Sequence, residues 1–300
     1  MTEPTPTPEY LRGRRALVLT GRGRTYVEDA RELGDLSAVE ALVLDDSSLT
    51  ALPDWLWRLP NLKVLNLGGN PLGTLPDAVG DLSGLEELYV HSTALTKLTD
   101  RLGDLHRLRI LDLGHNALAA LPDSLARLGQ IRDFLYLSDN HLSEIPPGLF
   151  SAWTELRYLG LTHNALTTLP ETLGAMAGLR ELRLYNNRLT ALPDSIGGLA
   201  DLRELHLMHN ALTALPESLG RLDRLTQLDL RGNRLSTLPE SLLGLTSLVH
   251  LDLRSNALRD VPGWIADLPA LRKLDLRWNP LCAVPSWILR LESRGCIVYH

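Results

Sequence analysis

The chain has 300 residues and a formal net charge of −6, so its overall field does not favour nucleic acid or an anionic membrane as a partner. Its hydrophobic share of 44% includes only two Phe and is dominated by Leu, which indicates that one aliphatic position type is used repeatedly. The two cysteines, Cys282 and Cys296, are too few for a disulfide-dependent extracellular fold, and this favours a cytoplasmic setting in which they either pack as thiols or pair with each other.

The first residues of the chain predict neither an export signal nor a membrane anchor. Residues 1–10 are rich in Thr, Pro and Glu, a composition typical of disorder, and they lack a basic region followed by an apolar core. No stretch approaches the roughly 18 apolar residues that a membrane helix needs. Residues 11–36, which include the apolar run 16–19, are predicted to form an irregular N-terminal cap.

Residues 37–290 contain a tandem repeat that is marked by a recurring asparagine. Of the ten steps between successive marker positions, eight are 23 residues long and two are 24. Such fixed spacing is the sequence signature of stacked repeats, here eleven of them, and residues 291–300 are predicted to cap the last one without a second domain. The marker positions are Ser47, Asn70, Thr93, Asn116, Asn140, Asn164, Asn187, Asn210, Asn233, Asn256 and Asn279.

Each repeat reads L-x-x-L-x-L-x-x-N-x-L-x-x-L-P-x-x-L-x-x-L, as in Leu62, Leu65, Leu67, Asn70, Leu72, Leu75, Pro76, Val79 and Leu82. Over residues 36–300 this pattern resembles the leucine-rich-repeat family, and within it the 23-residue LPxxL type of Ras-binding scaffold proteins, Scribble-like adaptors and many bacterial proteins. The resemblance implies an α/β-type solenoid, a right-handed horseshoe with a parallel inner β-sheet and an outer face of mostly loop and 3-10 helix.

The residue chemistry supports the same architecture without the resemblance. The L-x-L pair has period two, so Leu65 and Leu67 are predicted to point into the core while Val64, Asn66 and Gly68 point outward. The Asn that follows the strand is expected to satisfy backbone groups at a sharp turn. The Pro of each repeat lacks an N–H and fixes φ, which suits an irregular outer segment.

Two steps between marker positions contain one extra residue. The first lies between Ile131 and Leu135, just before a strand, and predicts a β-bulge that re-aims Phe134. The second lies within 145–153 on the outer side, where insertions are tolerated, so only the first is expected to alter the inner face.

The outward strand positions of the central repeats display aromatic, His and Met side chains that no core position requires. Such residues are enriched at binding surfaces, which predicts a concave partner-binding site. The structural alternative is that stacked aromatics only stabilise the sheet through cross-strand contacts. The predicted site residues are Tyr89, His91, Phe134, Tyr136, Tyr158, Tyr185, His206 and Met208.

The last three full repeats add a charged pattern in which an Asp column, Asp229, Asp252 and Asp275, lies beside an Arg column. Exposed ion pairs contribute only about 0–1 kcal/mol each. This grid therefore either reduces the repulsion between like charges that are stacked on successive strands, or forms a docking surface for a charged partner. Its predicted site residues are Arg231, Arg254 and Arg277, with Trp278 as an adjoining anchor.

Several departures from the repeat have both a structural and a functional interpretation. Thr93 and Thr99 replace the consensus Asn and Pro of one repeat, through drift or because that repeat is a hinge or a site. Trp55, Trp264 and Trp287 share an outer position, where they either pack and cap or form a dimer patch.

The sequence contains no recognisable catalytic or cofactor-binding motif. Neither phosphate-binding glycine motif occurs, and the close pair His206 and His209 lacks an evident third ligand, so no metal or cofactor is expected. We therefore expect a non-enzymatic, monomeric scaffold that binds a protein partner on its concave face. The alternative is an inhibitor or immunity protein that occludes the active site of a target enzyme.

Overall fold

The computed structural model describes Leu11, residues 13–21 and residues 35–300, so the predicted disorder of residues 1–10 lies outside the described part. Within that part, thirteen three-residue strands form one parallel sheet in chain order. The strands are β1 Ala16–Val18, β2 Ala41–Val43, β3 Val64–Asn66, β4 Glu87–Tyr89, β5 Ile110–Asp112, β6 Phe134–Tyr136, β7 Tyr158–Gly160, β8 Glu181–Arg183, β9 Glu204–His206, β10 Gln227–Asp229, β11 His250–Asp252, β12 Lys273–Asp275 and β13 Ile297–Tyr299.

Short helices form the opposite, outer side of the repeats. Of those in residues 35–300, two are α-helical, α1 Pro147–Ala152 and α2 Ile288–Ser293. The others are 3-10 helices, seven of them directly preceded by Pro, as expected from its fixed φ. Their bounds are Leu56–Arg58, Asp77–Asp81, Asp100–Asp104, Asp123–Arg127, Glu171–Ala175, Asp194–Gly198, Glu217–Arg221, Glu240–Gly244 and Gly263–Asp267.

The parallel inner sheet and short outer helices confirm the predicted horseshoe solenoid. Leu65 and Leu67 are fully buried, and the equivalent leucines of the other repeats join one continuous core that runs from Leu19 to Cys296. Each repeat therefore buries its apolar residues against its neighbours. Among the described residues, no helix is long and apolar enough to cross a bilayer.

The asparagine ladder behaves as the sequence predicts. The Asn70 carboxamide is fully buried; its Oδ1 accepts from the backbone N–H of Ser47 and Leu49, each at 3.0 Å. Its Nδ2 donates to the carbonyls of Leu44 and Leu67, each at 2.8 Å. Where Thr93 replaces Asn, the Thr93 Oγ1 donates to the Val90 carbonyl at 2.7 Å, so the shorter side chain keeps part of the network.

The residue just before each ladder position has a left-handed backbone, which the sequence pattern did not predict. His115, Asp139 and His163 have φ values of 54°, 55° and 53°. Even Trp278 adopts φ 60°. A non-glycine residue in this region costs energy, so the turn into the ladder determines the conformation more strongly than residue type does.

The two insertions have the predicted effects. Before β6, the Asp133 N–H donates to the Arg109 carbonyl at 3.1 Å, and the Arg132 carbonyl accepts from the Arg157 N–H at 2.9 Å. Because Phe134 itself pairs with Tyr158, Arg132 and Asp133 together oppose Arg157 before β7, which is the predicted bulge, and Phe134 follows it with 40% of its surface exposed. The second insertion changes only the outer side, where α1 replaces a 3-10 helix.

The N-terminal end of the concave face differs from the prediction. Val64 and Asn66 were predicted to point outward from the leucine core; Val64 packs in a separate cluster outside that core, but both residues are buried, with 0% and 6% of their surfaces exposed. Val64 belongs to a second apolar cluster with Leu11, Ala41 and Val43, which forms because the residues before β1 contact this end of the sheet. The concave face is therefore covered at β2 and β3.

Glu87 forms the polar border of this covered region, and we predict that it stabilises the fold. Only 5% of its side chain is exposed; its carboxylate lies 3.0 Å from Arg14 Nη2 and 3.8 Å from Arg109 Nη2. The Glu87→Ala substitution is expected to lower the free energy of unfolding by about 2 kcal/mol, because it removes the most buried carboxylate of this cluster and leaves Arg14 with only the longer contact to Glu86 at 3.7 Å.

Urea denaturation followed by circular dichroism measures this change. Glu40→Ala is the matched control: Glu40 contacts Lys63 at 2.6 Å, but both side chains are substantially exposed. Its loss is expected to cost under about 1 kcal/mol. Equal effects of the two substitutions would contradict a structural role for Glu87.

The two ends of the sheet are formed by β1 and β13, while the exact domain limits stay a prediction. Trp287 packs partly against the core and donates from Nε1 to the Val261 carbonyl at 3.1 Å, which supports the packing interpretation of the outer tryptophans.

Both cysteines are free thiols. Cys296 is buried, in agreement with the packing alternative, whereas Cys282 is exposed and differs from it.

Candidate partner-binding site

Residues of β5 to β9 form the central concave surface, where the strands lie in exact register. Phe134 pairs with Tyr158, and Tyr136 pairs with Gly160. Because the leucine between each outward pair points into the core, these side chains share one solvent-facing layer.

Three of the predicted site residues, Phe134, Tyr136 and Tyr158, meet in what we call the aromatic patch. The Phe134 and Tyr136 rings are nearly parallel with centroids 5.9 Å apart. Tyr158 is tilted against both, at 5.7 Å from Phe134 and 4.8 Å from Tyr136. A Cβ at Gly160 would lie 3.2 Å from the Tyr158 ring, so this glycine makes room for the ring to lie across the sheet.

The tyrosines of the aromatic patch are partly withdrawn from water. Burial raises the pKa of Tyr158 to about 12 and also raises the pKa of Tyr136. Both hydroxyl groups are therefore protonated at neutral pH and can donate hydrogen bonds. The patch offers an apolar surface with two phenol groups at its border, a combination that is common at recognition sites.

The sequence analysis missed Arg183, which borders the aromatic patch. Its guanidinium lies 5.5 Å from the Tyr158 ring centroid, and its Nε donates to Glu181 Oε1 at 2.5 Å. Arg183 and Glu181 are the two outward positions of β8. The repeat register alone was sufficient to place them beside β7.

His206 is less accessible than predicted because two carboxylates flank it. Only 11% of its side chain is exposed; its Nε2 lies 3.2 Å from Glu204 Oε2 and 3.9 Å from Glu181 Oε1. These three residues can bring one ligand atom each within 4.8 Å of one another, a grouping that the sequence did not predict and that does not include His209. Arg183 already neutralises Glu181 in this arrangement.

The remaining predicted residues lie outside the aromatic patch. Tyr185 contacts His163 edge-on at 5.4 Å between centroids, and Met208 is half-buried beside it along the solenoid. Tyr89 packs on the covered N-terminal cluster and donates to Glu87 Oε2 at 2.9 Å, so its ring is not the free contact surface that was expected. His91 lies close over Gly68, where a Cβ would be 2.4 Å from its Nε2.

The C-terminal charged grid is largely neutralised within itself. Arg254 contacts Asp252 at 2.5 Å and Asp275 at 3.3 Å, and Arg277 contacts Asp275 at 2.6 Å. At the less well paired end, burial raises the pKa of Asp229, whose carboxylate is 3.7 Å from Arg231. These contacts support the structural interpretation of the grid, while its role in binding stays a prediction.

Trp278 is the largest apolar side chain at that end of the concave face. It is 68% exposed, and Arg277 and Arg254 lie 5.3 and 6.0 Å from its ring centroid. The arginines hold the ring through cation–π contacts, and they leave its outer surface open to solvent.

Comparisons with known proteins agree with this architecture. Family models described as leucine-rich repeats match residues 61–82, 133–189 and 195–283. No curated protein matches the sequence significantly.

Three solved structures illustrate the similarity. An internalin of Listeria monocytogenes superposes with a TM-score of 0.81 at 20% identity, over 97% of this chain and 88% of its own. A plant peptide hormone receptor, RGFR1, solved in complex with RGF2, gives 0.74 at 29% identity, over 88% of this chain and 44% of its own.

A leucine-rich-repeat protein of Leptospira interrogans gives a TM-score of 0.52 at 25% identity, over 96% of both chains. The chain thus spans less than half of the receptor's length but almost all of the Leptospira protein. Together with the repeat register and the asparagine ladder, these matches show that the chain is a leucine-rich-repeat protein.

Proposed function

We propose that this chain is a non-catalytic recognition scaffold that binds a protein partner on its concave face, with the aromatic patch as the centre of the contact. In this proposal the chain acts as a monomer in a cytoplasmic setting and takes no metal or cofactor. The similar plant receptor, whose structure was solved with a peptide hormone, supports the use of this fold for protein ligands.

The exposure of Phe134 is the single observation that carries the proposal. The side chain is 40% exposed on a sheet face where the core does not require it, and it contacts two partly buried tyrosines, stacking on Tyr136 and meeting Tyr158 at a tilt. A rigid aromatic cluster of this kind loses little conformational entropy on binding, and it presents a large area to a partner. Cross-strand packing alone does not require the exposed edge of Phe134.

The test compares wild type with a Tyr136→Ala/Tyr158→Ala variant in affinity capture, followed by titration of each purified partner. We expect the double substitution to weaken binding at least about tenfold, since loss of central aromatic contacts typically costs more than 1 kcal/mol each. A Val284→Ala/Leu289→Ala variant is the control, because both side chains are exposed but lie outside the concave strands. Partners that bind all three proteins equally would remove the aromatic patch from the binding site.

A further inference from the structure

Four arginines form a continuous row at the edge where the chain enters β6 to β9, and we name this row the arginine ladder. Its members are Arg132, Arg157, Arg180 and Arg203. Each backbone N–H donates to the carbonyl of the previous member, at 2.9 Å from Arg157 and 2.8 Å from Arg180 and from Arg203. The bulge before β6 is what brings Arg132 into this register. All four side chains are exposed.

The arginine ladder is poorly neutralised within the protein. Arg157 has one carboxylate nearby, that of Asp133 at 3.7 Å. Within the described part of the chain, the other three members have no ion pair. Like charges on directly adjacent strands destabilise a sheet. The C-terminal grid avoids this cost with an interleaved Asp column, whereas the ladder does not.

The repeat architecture does not require arginine at this position. The equivalent places before other strands are held by Lys63, Glu86, Arg109, Thr226, Val249 and Arg272, and their backbone hydrogen bonds continue the same register. Lysine, glutamate, threonine and valine all occur there, so the fold leaves the side chain free to vary. The four arginines beside the aromatic patch therefore repel one another electrostatically, and the fold does not require them.

We propose that the arginine ladder binds an acidic segment of the protein partner while an apolar side chain of the same segment contacts the aromatic patch. This inference rests on the proposed function and specifies the chemistry of its partner. Arginine binds carboxylates with two parallel hydrogen bonds, which gives direction as well as strength. Arg157 directly precedes Tyr158 in the chain, so the ladder lies next to the aromatic patch where β7 begins.

The dimensions of the ladder limit the length of the acidic segment. Four members at the strand spacing of about 4.8 Å span roughly 14 Å, which is about four residues of an extended peptide. Glu181 and Glu204 lie on the concave side of the ladder. A nucleic acid backbone carries a negative charge at every nucleotide, so these carboxylates would repel it. Individual Asp or Glu side chains of a peptide can instead reach single arginines.

The test uses phage-displayed random peptides of about 12 residues, selected on the wild-type protein. We expect the selected peptides to be enriched in Asp and Glu and to contain an apolar residue. Their affinity should fall at least about tenfold for Arg157→Glu/Arg180→Glu/Arg203→Glu, and it should also fall in about 0.5 M NaCl because the contact is ionic. Peptides reselected on the charge-reversed variant should become basic.

The matched control is Arg188→Glu/Arg234→Glu/Arg259→Glu, which changes the net charge equally at three exposed arginines away from the strand-entry edge. It should leave affinity within about twofold, as expected for distant surface charges. Circular dichroism and thermal melting confirm that both variants are folded.

Selected peptides without acidic enrichment, or equal binding by wild type and the reversed ladder, would overturn this inference. Tighter binding of a thymidine oligonucleotide of about 20 nucleotides than of any peptide, with loss on ladder reversal, would overturn it in favour of nucleic acid. Peptides that respond to Tyr136→Ala/Tyr158→Ala but not to ladder reversal would leave the proposed function standing, and peptides that respond to neither would contradict both.

Discussion

Replacement of Asn70 by alanine is expected to lower the free energy of unfolding by about 4 kcal/mol, because one buried carboxamide satisfies several backbone groups at once. Its Oδ1 accepts two N–H groups, from Ser47 and Leu49, and its Nδ2 donates to the carbonyls of Leu44, Leu67 and Gly68. The residue is 0% exposed, so alanine leaves the N–H groups of Ser47 and Leu49 and the carbonyls of Leu44 and Leu67 unpaired away from water, whereas the Gly68 carbonyl keeps its bond from the Asp46 N–H.

The substitution should also weaken the coupling between neighbouring repeats. Ser47 and Leu49 belong to the turn that follows β2, whereas Asn70 follows β3, so its hydrogen bonds cross from one repeat to the next. Solenoid stability is approximately a sum of repeat and interface terms, and loss of one interface term permits the N-terminal repeats to unfold separately. Urea denaturation measures the change in the free energy of unfolding, and native-state hydrogen exchange at the Leu44 and Leu49 amides measures the separate unfolding of the N-terminal repeats.

Asn61→Ala is the matched control, because the Asn61 Nδ2 makes one exposed hydrogen bond, to the Ser37 carbonyl at 2.8 Å. Its loss is expected to change stability by under about 0.5 kcal/mol, as is usual for surface positions. If Asn70→Ala lowers the free energy of unfolding as little as Asn61→Ala does, the asparagine ladder contributes little to stability and leucine packing alone holds the repeats together.

The repeat pattern predicts the backbone of this protein well because each leucine has the same environment in every turn. A period-two L-x-L pair at intervals of 23 or 24 residues leaves only one way to bury Leu65, Leu67 and their equivalents, by stacking successive strands in parallel. The bulge before Phe134 was predictable for the same reason. The extra residue before β6 has no counterpart on the neighbouring strand, so two residues must lie opposite one.

The covered N-terminal end was not predictable, because Leu11 and Arg14 lie outside the repeat, so the repeat spacing does not predict their positions. Leu11 packs on Val64, and Arg14 pairs with Glu87 from a segment whose direction the periodicity does not determine. Tyr89 was therefore assigned to an open surface although its ring packs against residues from that end.

At the candidate site, the register predicted which side chains are neighbours but not how they pair. The sequence placed Phe134, Tyr136 and Tyr158 on adjacent strands, and the structure adds their ring contacts. The pairing of His206 with Glu181 and Glu204 depends on rotamers, which periodicity does not specify. Polar sites on this face require side-chain coordinates, whereas its apolar patches follow from spacing.

Gly220→Ala is expected to destabilise the protein by about 3 kcal/mol, since the outer helices are in contact at this glycine. A Cβ on Gly220 would lie 2.0 Å from the Ser241 carbonyl oxygen and 2.5 Å from its carbonyl carbon. Both are backbone atoms, so no rotamer change can relieve the overlap, and helices Glu217–Arg221 and Glu240–Gly244 must separate. Thermal melting measures the loss.

Gly148→Ala is the control for this substitution, because its Cβ would have no heavy atom within 4 Å and the residue lies in α1. Alanine there should be neutral or stabilise by about 0.5 kcal/mol. A Gly220→Ala/Ser241→Gly double variant should not recover, since removal of the Ser241 side chain leaves the clashing carbonyl in place. Recovery would mean that the Ser241 side chain, and not the backbone, sets the spacing of the outer face.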